Sequence, residues 1–258
     1  MKPRVVAFVD HEIGFRVLEK MLNLSSLNKI DVLAVVTTTD NGKMWWPGVE
    51  EQSLNSGIRL IRYEESFSEI DLLPDADWFF LISWKHVLPP FLVGRPSNGV
   101  INLHYSLLPD YRGVYPVNWA VIEGKEKTGV TYHFVNNEID AGPIILQRDL
   151  EIFSSDTART LQLRLDDLAC ELFDELMEGL LCGNLRGGNH CAVHGEYKSR
   201  KAFNEKREID LNLQYSGKEF LNLLRGLTFF ENGKNAFFFD AQTGEKIYIN
   251  VLLKREGQ

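Results

Sequence analysis

Short runs of apolar residues recur through the first part of the chain, separated by polar or amphipathic segments. The segment after the first run, from about Ile13 to Leu24, has helical periodicity. Strands that are apolar on both faces and alternate with helices are typical of a parallel sheet covered by helices on both sides. We therefore expect buried strands at residues 5–9, 31–36, 78–82 and 99–103.

The pattern beyond this point continues the layered arrangement. Apolar residues at helical spacing predict a helix over 117–122, and two further runs predict strands at 128–134 and 143–150. Residues 155–157 are Ser-Asp-Thr, a helix-capping sequence, and leucines at helical spacing follow it. A long helix is expected from this cap to about Leu181.

The pattern changes near residue 200, where we place a domain boundary. Tyr197–Lys201 is a basic segment that is expected to cross between the two parts, and the apolar residues from Phe220 to Leu224 predict one short helix. Alternating residues at 236–240 and 246–252 predict a hairpin. The expected fold class is α/β, with a Rossmann-like, mostly parallel sheet in residues 1–200 and a small C-terminal helix plus β-hairpin subdomain in residues 201–258.

Composition and charge narrow the possible functions. The chain has 258 residues, of which 44% are hydrophobic, and a formal net charge of −8, so a nucleic acid is not an expected partner. No apolar run reaches the roughly 20 residues that span a membrane, and the N-terminus does not read as a secretion signal. Three cysteines without a C-x-x-C motif favour reduced thiols in a cytoplasm and argue against a zinc site.

Three side chains near predicted strand ends suggest the chemistry. Asn102 and His104 lie at the end of one predicted strand, and Asp140 follows another. Ligands of open parallel sheets bind beyond the carboxyl ends of the strands, so these side chains are expected to converge on one crevice. An amide, an imidazole and a carboxylate suit the formation and collapse of a charged tetrahedral carbon without a metal. The predicted reaction is therefore acyl transfer.

The surrounding motifs resemble those of formyltransferases that use N10-formyltetrahydrofolate. The segment from Asn102 to Pro109 is similar to the family's Asn-x-His-x-Ser-Leu-Leu-Pro signature. The other matching landmarks follow in the family's order: Arg112-Gly113-x-x-Pro116, Gly129-Val130-Thr131 and Ile139-Asp140-x-Gly142-Pro143. The resemblance covers roughly residues 5–181 and is strongest over 83–147. It implies that the first domain is the catalytic one.

The resemblance implies a set of site residues and a co-substrate. Asn102, His104 and Asp140 correspond to the family's catalytic triad, and N10-formyltetrahydrofolate is the implied formyl donor, without a metal. Folate is then expected along two segments, largely on backbone groups: Ser83, Trp84, Lys85, His86, Val87 and Leu88, and the loop with Asn136 and Asn137. Trp84 and His86 are equally compatible with packing.

The amine that accepts the formyl group separates three branches of the family. Enzymes acting on phosphoribosyl glycinamide use a glycine-rich phosphate loop, whereas residues 10–14 here contain two carboxylates and one glycine. Enzymes acting on methionyl-tRNA have a basic surface, whereas residues 201–258 carry nine Lys or Arg against eight Asp or Glu. The segments 220–228 and 235–238 resemble sugar N-formyltransferases, above all those of dTDP-4-amino-4,6-dideoxyglucose.

The expected substrate is thus a nucleotide-linked amino sugar, and the expected assembly is a homodimer through the C-terminal region. A 3-amino sugar, a UDP- or GDP-linked sugar, methionyl-tRNA and a binding module without turnover remain alternatives. An aromatic loop at residues 43–47 is a candidate nucleotide or interface contact. Candidate substrate-binding residues are Tyr105, Arg225, Phe229, Phe230, Asn235 and His11. Arg225 could instead be a surface residue at a helix end, the two phenylalanines core or subunit contacts, and His11 a turn residue.

Overall fold

The fold was analysed in a computed structural model that describes residues 2–38, 48–63, 73–185, 195–229 and 235–254. The helices are α1 (His11–Ser26), α2 (Val49–Asn55), α3 (Pro90–Val93), α4 (Pro116–Ile122), α5 (Ala158–Leu181), α6 (Arg200–Arg207) and α7 (Gly217–Gly226). The strands are β1 (Arg4–Val9), β2 (Asp31–Thr37), β3 (Arg59–Arg62), β4 (Trp78–Ile82), β5 (Gly99–His104), β6 (Arg112–Gly113), β7 (Lys127–Phe134), β8 (Ile144–Glu151), β9 (Tyr197–Lys198), β10 (Ala236–Phe239) and β11 (Lys246–Ile249).

The chain divides into two compact units. The first comprises Met1–His104, Tyr132–Leu146 and Ala169–Cys191, and the second comprises Tyr105–Thr131, Gln147–Leu168 and Ala192–Gln258. The seven-stranded sheet has the order β3-β2-β1-β4-β5-β7-β8, and the division of the chain falls within β7 and β8. The predicted α/β class with a mostly parallel sheet is confirmed, while the boundary at residue 200 stays a prediction.

The core of the first unit explains why its strands read as continuous apolar runs. β1 pairs in parallel with β2 and β4, and β4 pairs in parallel with β5. Five successive residues of β1, Val5–Val9, are fully buried, because side chains on both faces of this strand are covered. The chain changes its direction of progress across the sheet between β1 and β4, and such switch points are where open α/β sheets bind ligands.

Strand β7 runs against β5. The Val135 N–H donates to the Val100 carbonyl at 2.8 Å, while Asn102 contacts His133, so residue numbers fall along one strand as they rise along the other. The Phe134 N–H then donates to the Pro143 carbonyl at 2.9 Å, where the chain turns back toward β8. This reversal decides where the loop between β7 and β8 lies, and that loop carries Asp140.

The second unit has its own apolar core. Trp119 on α4, Phe203 on α6 and Leu227 after α7 are among its buried members. The Asn118 amide donates to the Gly226 carbonyl at 2.7 Å and thereby joins α4 to the end of α7. β10 and β11 form the predicted antiparallel hairpin.

Most of the predicted elements are observed, with shifted ends. The helix expected at 13–24 spans His11–Ser26, and the long helix after the 155–157 cap spans Ala158–Leu181. The basic segment at Tyr197–Lys201 differs from the expectation, because it splits into β9, which pairs with β6, and the start of α6. Among the described residues, no helix combines the length and the apolar character that a bilayer crossing requires.

Candidate active site

Two of the three predicted catalytic side chains lie on one face of β5. Asn102 and His104 are two positions apart, and side chains at that spacing project to the same side of a strand. Asn102 is half-buried, and His104 is buried with 6% of its surface exposed. The amide and the imidazole are therefore held side by side by a strand whose neighbouring residues are in the core.

Asp140 comes to the same face from the loop after β7. Its Oδ2 lies 3.5 Å from His104 Nδ1, and its Oδ1 lies 3.4 Å from Asn102 Nδ2. Each carboxylate oxygen thus faces a different partner, at distances longer than a well-formed hydrogen bond. The structure brings the three predicted catalytic residues together, although they are spread over 39 positions of the chain.

The local sequence explains how the loop reaches this place. Asp140 has a left-handed backbone with φ of 50°, a conformation that Asp tolerates better than most residues. Two residues later, Gly142 passes so close to the Phe134 carbonyl that a Cβ on it would overlap that oxygen. Asp140 and Gly142 are therefore both suited to the tight turn of this loop.

A fourth polar residue, His133, completes the cluster and was missed by the sequence analysis. It lies on β7 with 1% of its surface exposed, and its Nε2 is 3.1 Å from Asn102 Nδ2 and 3.6 Å from Asp140 Oδ1. Its Nδ1 is 2.8 Å from the Phe134 carbonyl oxygen. The only sequence signal for His133 was its position near the end of the predicted strand before the Asp140 loop. A single histidine in an apolar strand does not by itself indicate a function.

The first predicted folate segment, residues 83–88, follows β4 and has mixed surroundings. Trp84 packs edge-on against Phe8 and Tyr63, with ring centroids 5.4 and 5.1 Å apart, and His86 lies 4.4 Å from the Tyr63 ring. These contacts are those of packing residues. Lys85 donates to Thr38 at 3.0 Å.

The rest of the predicted folate-binding set is more accessible. Val87 has 72% of its surface exposed, while Leu88 beside it is buried. Asn136 and Asn137 are exposed in the loop that leads to Asp140, and the Asn136 side chain accepts a hydrogen bond from the Glu138 N–H at 3.0 Å. This contact shapes the loop from within and leaves the backbone groups of the segment near the surface.

His11 and Ser83 form a polar pair at the carboxyl ends of β1 and β4. Both have left-handed backbones, with φ of 61° and 56°, and His11 Nδ1 lies 3.0 Å from Ser83 Oγ. Beside them, buried Asp10 accepts hydrogen bonds from Thr37 and Thr38 at 2.9–3.0 Å. His11 is exposed at the switch point of the sheet, where the sequence analysis expected it to meet substrate.

Two residues of the second unit that were predicted to contact substrate make hydrogen bonds to other protein groups. The Tyr105 hydroxyl donates to the Asp166 carboxylate, which also accepts from Gln162. Asn235 has 1% of its surface exposed, and its side chain accepts from the Phe229 N–H at 3.3 Å. Phe229 is half-buried. Phe230 and the aromatic loop at residues 43–47 lie outside the described residues.

Arg225 makes a structural network. Only 7% of its surface is exposed, and its guanidinium donates to the Asp156 carbonyl at 2.6 Å, the Phe153 carbonyl at 2.7 Å and Asn222 Oδ1 at 2.9 Å. Burial lowers the pKa of Arg225, and the nearby Asp156 carboxylate partly offsets this effect. All three of its nitrogens have protein partners, so its predicted contact with a diphosphate stays a prediction that these contacts do not support.

The site as described consists of donors and a base without a metal-binding geometry. Within the described ranges, no group of three or more His, Cys, Asp or Glu residues is arranged to hold a metal ion. What the arrangement offers is an amide donor, two imidazoles and a carboxylate in a largely buried space. Such a set can donate to a developing oxyanion and move a proton.

Comparison with known proteins places the chain among the formyltransferases. A sequence profile described as formyl transferase matches residues 60–176, and one described as the N-formyltransferase dimerization C-terminal domain matches residues 202–255. A methionyl-tRNA formyltransferase from Flavobacterium psychrophilum is 30% identical over 234 residues, which are 87% of this chain and 72% of that protein.

Solved structures share the fold over 89–99% of the chain. A Mycobacterium tuberculosis protein of provisional sugar N-formyltransferase assignment is 26% identical, with a TM-score of 0.78 and 99% and 100% of the two chains covered. A 4-N formyltransferase from Francisella tularensis is 23% identical, with a TM-score of 0.82 and 98% of each chain covered. A Helicobacter canadensis N-formyltransferase, in complex with folinic acid and dTDP-3-aminofucose, is 23% identical, with a TM-score of 0.72 and 89% and 81% covered. The chain therefore belongs to the formyltransferase family and is an N-formyltransferase.

Proposed function

We propose that the chain transfers the formyl group of N10-formyltetrahydrofolate to the amino group of a dTDP-linked 4-amino-4,6-dideoxyhexose, such as dTDP-4-amino-4,6-dideoxyglucose. The observation that carries the proposal is the match of residues 202–255 to the N-formyltransferase dimerization C-terminal domain. This segment contains the helix and hairpin that distinguish the sugar branch in the sequence analysis. The product would serve the synthesis of a surface polysaccharide such as an O-antigen, which rests on the resemblance alone.

The choice of a 4-amino sugar rests on the extent of the structural likeness. The Francisella tularensis 4-N formyltransferase and this chain cover each other to 98%, with a TM-score of 0.82. The Helicobacter canadensis protein, which binds a 3-amino sugar nucleotide, covers 89% of this chain with a TM-score of 0.72. A 3-amino sugar and a UDP- or GDP-linked sugar are the alternatives within the same branch.

Methionyl-tRNA is the second candidate substrate, because sequence relatives at about 30% identity carry that activity in their names. The charge of the chain opposes it. A formal net charge of −8 and a near-neutral C-terminal segment do not provide the concentrated cations that a phosphate backbone needs. The sugar nucleotide carries only two phosphates and does not impose this requirement.

The proposed reaction assigns roles to the three predicted catalytic side chains. The substrate amine attacks the formyl carbon, whose oxygen becomes anionic, and Asn102 and protonated His104 donate hydrogen bonds to that oxygen. Asp140, 3.5 Å from His104, holds the imidazole in orientation and favours its charged form. The bond from the formyl carbon to N10 then breaks, and the proton lost by the amine passes through His104 or Asp140 to the leaving nitrogen.

The proposed folate site uses the segment after β4 and the loop after β7 that leads to Asp140. Backbone groups of residues 83–88 and of Asn136 and Asn137 hold the pterin ring, and exposed Val87 offers it an apolar surface. Trp84 and His86 anchor the segment through their ring contacts with Tyr63. In this proposal the pterin is held mainly by backbone groups, and Trp84 and His86 do not contact it.

The proposed assembly is a homodimer through the C-terminal hairpin. β10 and β11 expose large apolar side chains: Phe239, Ile247 and Tyr248 have 47%, 39% and 44% of their surfaces exposed. A second copy would bury them. Light scattering at micromolar concentration should give twice the chain mass, and Ile247→Lys should shift it toward the monomer. A monomeric wild-type protein contradicts the proposal.

A substrate panel tests the proposed activity. Purified enzyme is incubated with N10-formyltetrahydrofolate and dTDP-, UDP- and GDP-linked 3-amino and 4-amino sugars, with charged initiator tRNA as a separate arm, and products are measured by mass. Gain of one formyl group on the dTDP-linked 4-amino sugar alone supports the proposal. Formylation of the tRNA and of none of the sugars would refute it.

Two variants test the assigned roles. Each donor to an oxyanion in comparable sites is worth about 10²–10³ in kcat, so His104→Ala should lower kcat by at least that factor. Asp140→Asn should also lower kcat far more than it weakens binding of the nucleotide. Asp149→Asn, a carboxylate on β8 paired with Lys127 at 2.7 Å, is the matched control and should leave kcat unchanged. Wild-type turnover in either site variant would remove the proposed roles.

A further inference from the structure

The position of the proton on His133 is fixed by a backbone carbonyl. Its Nδ1 lies 2.8 Å from the Phe134 carbonyl oxygen. A carbonyl oxygen only accepts, so Nδ1 must carry the hydrogen. In a neutral imidazole the other nitrogen, Nε2, then has a lone pair and acts as an acceptor. The ring is buried, with 1% of its surface exposed.

The lone pair on Nε2 meets the nitrogen of the Asn102 amide. Asn102 Nδ2 is 3.1 Å from His133 Nε2, and an amide nitrogen only donates. The bond therefore runs from Asn102 to His133. It determines which end of the amide group faces which neighbour, because the oxygen of Asn102 would meet a lone pair if the group turned over.

The second N–H of Asn102 is held less firmly. Nδ2 is 3.4 Å from Asp140 Oδ1, which is a long and weak hydrogen bond. One N–H is thus anchored on His133, and the other projects toward the carboxylate side of the cluster. An acceptor placed on that side can take the second N–H without disturbing the first.

We propose that His133 is a positioning residue that keeps the nitrogen, rather than the oxygen, of the Asn102 amide facing the formyl group. The inference rests on the proposed role of Asn102 as an oxyanion donor. A reversed amide would present an oxygen lone pair to a developing anion, so it would oppose the transition state. Asp140 Oδ1 also favours the amide nitrogen, but at 3.4 Å this contact is long, so His133 Nε2 at 3.1 Å is the closer acceptor that holds the productive orientation.

The competing arrangement is a doubly protonated His133. Its Nε2–H would donate to Asp140, and Asn102 would have to turn its oxygen toward the ring. The distance from Nε2 is 3.1 Å to Asn102 Nδ2 but 3.6 Å to Asp140 Oδ1, which favours the neutral ring with an incoming amide bond. His104, with its ring centroid 6.4 Å away, is the other titratable group that the described contacts bring near His133.

The proton position can be measured in the wild-type enzyme. Nitrogen NMR of histidine-labelled protein distinguishes an imidazole nitrogen that carries hydrogen from one that does not. Near neutral pH we expect Nδ1 of His133 to be protonated and Nε2 to be unprotonated, and we expect Asn102→Ala to shift the Nε2 resonance. A doubly protonated ring, or hydrogen on Nε2 alone, would overturn the proposal.

Kinetics of three variants test the consequence, with the amine acceptor identified in the substrate panel. His133→Phe keeps a buried ring but removes the acceptor, and it should lower kcat about 10- to 100-fold with little change in KM for the nucleotide sugar. His133→Gln supplies an oxygen acceptor near the position of Nε2 and should recover at least a tenfold part of that loss. The double variant Asn102→Ala/His133→Phe should be no more than about threefold slower than Asn102→Ala alone, because the histidine acts through the amide.

The outcomes separate this inference from the function on which it rests. If Asn102→Ala retains full kcat, the proposed catalytic role of Asn102 fails first. If Asn102→Ala is impaired while folded His133→Phe is not, or if the two losses multiply in the double variant, only the positioning role fails. If His133→Phe does not fold, the comparison of His133→Gln with wild type and the NMR measurement still decide: an impaired Gln variant with an unprotonated Nε2 in wild type contradicts the acceptor role.

Discussion

The buried guanidinium of Arg225 allows a sharp separation between a structural and a substrate-binding role. Arginine suits phosphate oxygens, but here its three nitrogens donate at 2.6–2.9 Å to two backbone carbonyls and to Asn222. Arg225→Lys retains the charge while replacing a planar fork with a single ammonium group. That group carries its donors on a single nitrogen and cannot reproduce the spread of the three guanidinium nitrogens.

The magnitude follows from the hydrogen bonds that the substitution removes. Each bond to a charged group contributes about 1.5–3 kcal/mol, and two carbonyl oxygens in a region with little water lose their donor or share one. Partial relaxation reduces the sum, so we expect a loss of about 2–4 kcal/mol in the free energy of unfolding. For a chain of this size, that loss corresponds to a fall in Tm of about 5–15 °C.

The assay combines thermal unfolding with calorimetric binding of dTDP. The structural role predicts a lower Tm and an unchanged Kd for dTDP in Arg225→Lys. Arg200→Lys, at an exposed position in the first turn of α6, is the matched control and should change neither quantity. An unchanged Tm together with a tenfold weaker Kd would refute the structural role and would return Arg225 to the diphosphate.

Two further predictions concern the second unit. In Gly226→Ala the new Cβ would lie 2.8 Å from the Ile122 backbone nitrogen, so the free energy of unfolding measured in urea should fall by about 1–3 kcal/mol. Gly217→Ala, which has open space around it, is the control and should not change that free energy. Equal stability of the two variants would contradict the packing argument. Glu123 resists ionisation through burial, but hydrogen bonds from Lys198 and Tyr111 prevail and lower its pKa below 4.5. Since the folded pKa is the lower one, this stabilisation is complete above the ordinary value and disappears as the pH falls through the lowered one. The stability difference between wild type and Glu123→Gln should therefore shrink between about pH 5 and pH 3, and a difference that grows on acidification would refute the assignment.

The buried strands, and the pairing of Asn102 with His104 on one of them, could be predicted because their signals are local. An apolar run such as Val5–Val9 needs no knowledge of its neighbours to indicate a buried strand. Asn102 and His104 share a face because the period of a strand is two. The expectation that Asp140 would join them rested on parallel strands, whereas β7 runs against β5 and the loop after β7 brings Asp140 back to this face. The resemblance of the surrounding motifs to a known family then specified the expected reaction, from acyl transfer in general to formyl transfer.

The role of His133 could not be predicted because it depends on strand direction. Its contact with Asn102 exists only because β7 runs against β5, and the apolar pattern of a buried strand is the same in either direction. With β7 parallel to β5, the same histidine would lie at another level of the sheet. The family motifs therefore include residues before and after His133, at Gly129–Thr131 and from Ile139, but not His133 itself.

Arg225 shows a second limit of local reasoning. Its residue type and its place near the end of a predicted helix favoured a phosphate, yet its partners at Asp156 and Phe153 are 69 and 72 positions away in the chain. Burial of a charged group is a property of the assembled core, and nothing in the sequence around Arg225 shows it. The same holds for Tyr105, whose hydroxyl partner Asp166 is 61 positions away.

Backbone strain supports the position of the site independently of the family signature. His11, Ser83 and Asp140 have φ of 61°, 56° and 50°, a region that costs about 1–2 kcal/mol for residues with a side chain. Each follows a strand of the first unit, and each belongs to the set that the sequence analysis assigned to substrate, folate or catalysis. Left-handed residues also occur elsewhere in the chain, at Asn28 in a turn and at two tyrosines near β6, so strain alone does not identify a site. Two of the three strained residues, His11 and Ser83, lie at the switch point of the sheet, and the third, Asp140, belongs to the buried polar cluster, which supports the proposed site.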